Sequence, residues 1–236
     1  MDIKKLIGII LMGAAFCLLL SAPSFAATIN PGDTIQFSFA TPSDRVSGFG
    51  GGAFQLVDGS SSYVTYCLET IEYINLGANY TVESVSLSAI AGGVGNTGGT
   101  NTTANNGSNS DPISSQTAYL YYMYATGQIS GITANSGIGT ALQQEALQYV
   151  FWYLENEILL TAVPSDILGL FNQYITIANS DPDTNQYYNV YVVNPIDSSG
   201  NAKQSQLVYV PEAGSLLLFG SGLVGLVLYR RKQRMR

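Results

Sequence analysis

The sequence predicts an α+β fold: an N-terminal β-sandwich or barrel, a central group of about three helices, two C-terminal strands that return to the sheet, and a single C-terminal transmembrane helix. Three observations carry this expectation. Residues 34–88 contain segments rich in β-branched and aromatic residues that alternate with polar ones. After residue 113 the apolar spacing changes to the helical period. The chain then closes with an uncharged apolar run followed by a cluster of cations.

Four strands are expected in the first half: Thr34 to Ala40 (TIQFSFA), Ala53 to Gly59 (AFQLVDG), Ser62 to Glu69 (SYVTYCLE) and Asn79 to Ser88 (NYTVESVSLS). Each is bounded by Gly, Pro, Asp or Asn, residues that favour turns. The glycine run GFGGGAF, Gly48 to Phe54, lacks the lysine and the strand-turn-helix setting of a phosphate loop and reads as a flexible entry to the second strand. Residues 91–112 are Gly-, Asn- and Thr-rich and offer almost nothing to bury, so a long disordered surface loop is expected there.

Helices are expected over Ser114 to Gly127, Thr140 to Asn156 and Pro164 to Asn179. Serine and threonine stand as N-caps of the first two, and a Ser/Asp pair opens the third. In the second, Leu142, Ala146, Leu147, Val150, Phe151 and Leu154 fall on one face. The strands Gln186 to Asn194 and Gln204 to Val210 complete the α+β order.

The two ends give the chain its destination. Lys4 and Lys5, an apolar run and the small residues Ser24 and Ala26 form a secretory signal peptide, residues 1–26, with cleavage expected between Ala26 and Ala27. Cys17 leaves with that segment. At the other end Ser215 to Tyr229 make 15 uncharged residues, about 22 Å as a helix. That is short of a hydrocarbon core of about 30 Å, although Arg230 and Arg231 can snorkel. The basic cluster holds the C-terminus in the cytoplasm by the positive-inside rule. The whole of residues 210–236, with Val210-Pro211-Glu212-Ala213, a short glycine-bearing apolar helix and terminal arginines, resembles the PEP-CTERM sorting signal of Gram-negative bacteria. Ala213 stands where that motif has its second proline. The resemblance implies export through the Sec translocon, an inner-membrane-anchored intermediate recognised by an exosortase, and release to the cell surface or extracellular matrix.

Residues 27–212 carry two cations, Arg45 and Lys203, against 15 acids, a net of −13. Such a surface disfavours nucleic acid and anionic membranes as partners. The chain has no histidine, which excludes Ser-His-Asp and Cys-His catalysis and nearly all zinc chemistry. No metal, cofactor or turnover enzyme's site is expected. Asp181 and Asp183 lack the ligand number and glycine of a calcium loop and read as a turn. Glu155 and Glu157, two apart on a helix, point to different sides and do not suit a paired-carboxylate hydrolase. A Lys-Asn isopeptide could use only Lys203 in the ectodomain, and nothing marks its partner.

The cysteine left after signal removal is Cys67. A lone thiol in an oxidising compartment is a small buried hydrophobe, an intermolecular disulfide partner, or a group bonded to something other than sulfur. Tyr66-Cys67-Leu68-Glu69 and Leu147-Gln148-Tyr149-Val150-Phe151-Trp152 together resemble the two signatures of bacterial thioester domains. The resemblance implies that residues 27–209 form a thioester-type ectodomain. In it, Cys67 attacks the side-chain carboxamide of Gln148, expelling ammonia, with Tyr66, Leu68, Glu69, Leu147, Phe151 and Trp152 around the bond. It further implies covalent adhesion, in which an amine or hydroxyl on another molecule attacks the Gln148 carbonyl and frees Cys67. The alternative from residue chemistry alone is a non-catalytic structural component of an exopolysaccharide or biofilm matrix. In that reading Gln143, Gln144 and Gln148 are solvated helix residues and Trp152 is a core anchor.

Overall fold

A computed structural model describes residues 29–40, 52–70, 72–90, 110–130 and 139–211. The signal peptide, the glycine run before Gly52, most of the 91–112 segment, and the sorting residues Glu212 and Ala213 with the expected C-terminal helix lie outside the described residues.

The alternating N-terminal segments form strands β1 (Thr34–Phe39), β2 (Phe54–Asp58), β3 (Ser61–Thr65) and β4 (Asn79–Ser86). Burial alternates as the sequence pattern requires: in β1, Ile35 and Phe37 are buried while Thr34, Gln36 and Ser38 are exposed. β2 and β3 pair with Asp58 opposite Ser61, leaving the two-residue turn Gly59-Ser60. Gly59 sits at φ 55°, a left-handed value that tight hairpins need and that glycine adopts without a Cβ clash.

Three helices follow: α1 (Ser115–Ala125), α2 (Ala141–Leu154) and α3 (Leu168–Asn179). Ser114 caps α1 by accepting from the Thr117 N–H at 3.1 Å. Thr140 and Gln143 form a reciprocal capping box on α2. The Ser165-Asp166 pair does not cap α3, which starts four residues later than expected at Leu168, with Ile167 as its N-cap and no side-chain cap bond. A 3-10 turn, Leu160–Ala162, precedes it. Leu142, expected on the apolar face of α2, is 46% exposed, and burial on that helix begins only at Gln144.

The last strands, β7 (Val190–Ile196) and β8 (Gln206–Tyr209), do return to the sheet. Its order is β3-β2-β1-β4-β7-β8, and every pairing is antiparallel. β7 runs two residues past the expected Asn194, through Pro195, which faces Val82 beside an irregularity in β4. The expected loop 91–112 needs one correction: Asp111–Pro112 (β6) pair with Ser88–Ala89 (β5) in a two-stranded ribbon. The buried backbone there is satisfied by pairing, and the Ile113 N–H continues it to the Leu87 carbonyl at 2.9 Å.

The outer strands β3 and β8 approach each other, so the sheet is nearly closed. Beyond the end of β3, Cys67 bridges Gln206, the Leu207 N–H reaches the Tyr66 carbonyl at 3.0 Å, and the Leu68 N–H reaches the Ser205 carbonyl at 3.1 Å. The expected strand Ser62 to Glu69 therefore divides: residues to Thr65 pair with β2, and those after it cross to the β8 edge. One core is made by strand residues, among them Ile35, Phe37, Leu56, Val82, Val193 and Val208. A second joins the helices to the closing segment through Tyr66, Leu120, Leu147, Phe151, Trp152 and Leu207. All these elements belong to one compact unit, and among the described residues no helix is long and apolar enough to cross a membrane.

Candidate functional site

Helical periodicity places Gln144 and Gln148 one turn apart on α2, on the face turned to the core. Neither is solvated; both are completely buried. A buried carboxamide must find partners for both its donor and its acceptor ends. Gln148 finds them around Cys67. Its Nε2 donates to the Cys67 carbonyl at 2.8 Å. Its Oε1 accepts from the Cys67 Sγ at 3.3 Å and from the Gly52 N–H at 3.3 Å. The two side chains that the motifs single out, 81 residues apart in sequence, are thus in direct contact.

The remaining motif residues build the walls. Tyr66 is fully buried, its ring 5.1 Å from that of Phe151 and 5.4 Å from that of Tyr124. Its hydroxyl donates to Gln144 Oε1, while Gln144 Nε2 has no hydrogen-bond partner among the described residues. Leu147 is completely buried, and the Leu68 side chain is closed off beside the strand clamp. Trp152 meets Tyr149 edge-on, ring centres 5.5 Å apart, and its indole N–H favours the charged form of the Cys67 sulfur.

Two carboxyls share this layer. Glu69 is 1% exposed; Oε2 accepts from the Ser205 N–H at 2.9 Å, and Oε1 has no hydrogen-bond partner among the described residues. Glu157, also buried, accepts from the Thr70 N–H at 3.1 Å and from the Thr70 hydroxyl at 2.9 Å. Burial pushes the Cys67 thiol well above its ordinary pKa; any charge on the Glu69 and Glu157 carboxyls pushes it the same way, and the Trp152 indole opposes both. The sulfur is therefore held as a neutral thiol at neutral pH. Burial also raises Glu69 well above the usual carboxylate range, opposed by the Ser205 donors and reinforced by Glu157 and Glu72.

The arrangement suits acyl chemistry. The carboxamide carbon lies one C=O bond, about 1.2 Å, from an oxygen that the sulfur already touches. The Gly52 N–H is aimed at the oxygen on which negative charge gathers in a tetrahedral intermediate. Gly52 itself lies at φ 122°, a region closed to most side chains, and that conformation directs its amide inward. Sequence reasoning missed this donor and the Ser205–Leu207 clamp. The glycines of GFGGGAF were a signal for close backbone approach, without an indication of what they approach.

Other candidates separate. Glu155, the C-cap of α2, accepts at Oε1 from the Ser114 N–H at 3.1 Å, from the Ser114 hydroxyl at 2.9 Å and from the Thr117 hydroxyl. It thereby ties α2 to the start of α1, away from the Thr70 partner of Glu157. Asp181 and Asp183 each accept from a backbone N–H two residues on, Asp183 and Asn185, at 3.0 Å, as Asx turns. Lys203 makes an ion pair with Asp197 at 3.1 Å. In the tail, the Val210 N–H bonds to the Asn189 carbonyl at 3.0 Å, and Pro211 is exposed.

Residues 210–232 match the family model of the PEP-CTERM protein-sorting motif. No curated protein and no solved structure matches the chain. The matched motif makes this an exported protein with exosortase as its sorting partner, passing through a membrane-anchored intermediate to the surface or the extracellular space.

Proposed function

We propose that the ectodomain is a thioester domain and that this exosortase-sorted protein attaches covalently to other molecules at the surface. The observation that carries the reading is the contact of Cys67 Sγ with Gln148 Oε1 at 3.3 Å inside a sealed layer. Two groups held this way react as an intramolecular pair, which removes much of the entropic part of the barrier. The sulfur adds to the Gln148 carbonyl carbon, the Gly52 N–H stabilises the oxyanion, and the C–N bond breaks to release ammonia. Complete burial of both residues shields the product from hydrolysis. A primary amine or hydroxyl of a target, admitted when the layer over the bond opens, then takes the acyl group, Cys67 regains its thiol, and the event is over. It is a single covalent attachment and not enzymatic turnover, and it uses no cofactor.

Intact-mass spectrometry with methylamine tests this. A deficit of one ammonia, converted by methylamine into an adduct on Gln148 with a newly titratable thiol on Cys67, is the expected result. A full-length mass with Cys67 already titratable after unfolding overturns the reading and leaves a non-covalent matrix component.

A further inference from the structure

The thiol and the carboxamide both need proton management, and the residues usually recruited for it are missing. The chain has no histidine, and the one cation among the described residues, Lys203, is paired with Asp197. The buried carboxyl of Glu69 is the group left over. It lies two residues beyond Cys67 on the segment clamped to the β8 edge. One of its oxygens is fixed by the Ser205 N–H at 2.9 Å, and the other is buried without a hydrogen-bond partner among the described residues. A buried polar oxygen without a partner costs free energy, and at Glu69 it stands two residues from the reacting thiol.

We infer that Glu69 is the proton relay of the Cys67–Gln148 site, moving a proton between sulfur and nitrogen through its unpartnered Oε1. The inference rests on the thioester reading above. In bond formation the sulfur–carbon bond forms and the carbon–nitrogen bond breaks; Glu69 gives its carboxyl proton to the departing nitrogen and takes up the thiol proton. The products are the thioester and ammonia, with Glu69 restored. In attack by a primary amine the nitrogen–carbon bond forms and the carbon–sulfur bond breaks; the amine proton passes to Glu69, and the Glu69 proton passes to the Cys67 sulfur. Burial favours the protonated form of Glu69, the form from which both sequences start. The titratable groups that act on it from the elements around it are Cys67 on its own segment, Glu72 after it, and Glu157 beyond the end of α2. Of these, Glu157 is already engaged by the Thr70 N–H at 3.1 Å and the Thr70 hydroxyl at 2.9 Å.

The test uses the full chain in detergent and follows methylamine opening by intact mass from acid to alkaline pH, in wild type, Glu69→Gln and Glu69→Asp. Circular dichroism confirms that each variant is folded. The relay requires Glu69→Gln to slow opening about 100-fold or more, or to leave the folded protein without the ammonia deficit, and to remove the inflection in the pH profile. Glu69→Asp, which keeps an acid at shorter reach, retains an inflection at reduced rate. A Glu69→Gln protein with wild-type rate and profile overturns the relay while leaving the thioester intact. Should Glu69→Gln fail to fold, Glu69→Asp decides, and an unchanged rate and profile there has the same meaning. Absence of the ammonia deficit in wild type removes the thioester and the relay together.

Discussion

Cys67 and Gln148 show how a residue's environment decides its chemistry. A cysteine that is fully buried is ordinarily inert, because desolvation keeps it protonated. Here the same burial places the thiol against an acyl carbon that water cannot reach. Glu155 provides a residue-scale test of the surrounding electrostatics. Desolvation raises its pKa from 4.5 to about 7, against three donors that favour the anion. A folded value above the unfolded one means that the native state holds the proton more tightly. Its contribution is complete below pH 4.5 and is lost as pH rises through about 7. Glu155→Gln, neutral throughout, should lose less stability than wild type between pH 5 and pH 8, by as much as roughly 3 kcal/mol in denaturant titrations. Parallel pH dependence in the two proteins would contradict this. Of these residues the sequence disclosed the pair Cys67 and Gln148 through two short motifs. It could not disclose Gly52, because a backbone N–H leaves no mark beyond a glycine, nor that Glu69 has an oxygen without a partner.

At the scale of elements, helix α2 positions Gln148, the acyl donor of the proposed thioester. Its capping box at Thr140 fixes the register of the first turn, one turn before Gln144 and two before Gln148. Thr140→Ala should cost about 1 kcal/mol in global stability, measured by thermal or denaturant unfolding. A loss near zero would show that packing alone holds the helix start. The caps of α1 and α2 were legible because serine and threonine announce them directly before an apolar-periodic run. The start of α3 was not, because Ser165 and Asp166 offer the same chemistry without using it. The change of partner after Thr65 was also hidden. Residues 62–69 form one unbroken β-like pattern, and only the tertiary path shows that its second part leaves β2 for the β8 edge. That switch places Cys67 at the seam of the sheet and not within a continuous strand.

Across the whole molecule, the proposed function joins two features, the near-closure of the sheet around the Cys67–Gln148 contact and a sorting motif that directs export. The α+β order, the return of the final two strands and the sorting motif could all be read from periodicity and composition. The near-closure of the sheet could not, since it depends on Tyr66–Leu68 meeting Ser205–Leu207 across more than half the chain. If the motif at 210–232 directs sorting, removing Val210 to Arg236 should change both the amount and the location of the surface protein in fractionated cells; an unchanged distribution would count against it. The central claim concerns a single bond, and the mass of the intact protein reads it. Wild type should lack one ammonia relative to its processed sequence, whereas Cys67→Ala should have the full mass expected for its own sequence. A wild-type protein of full mass, with no difference beyond the substitution itself, would contradict the claim.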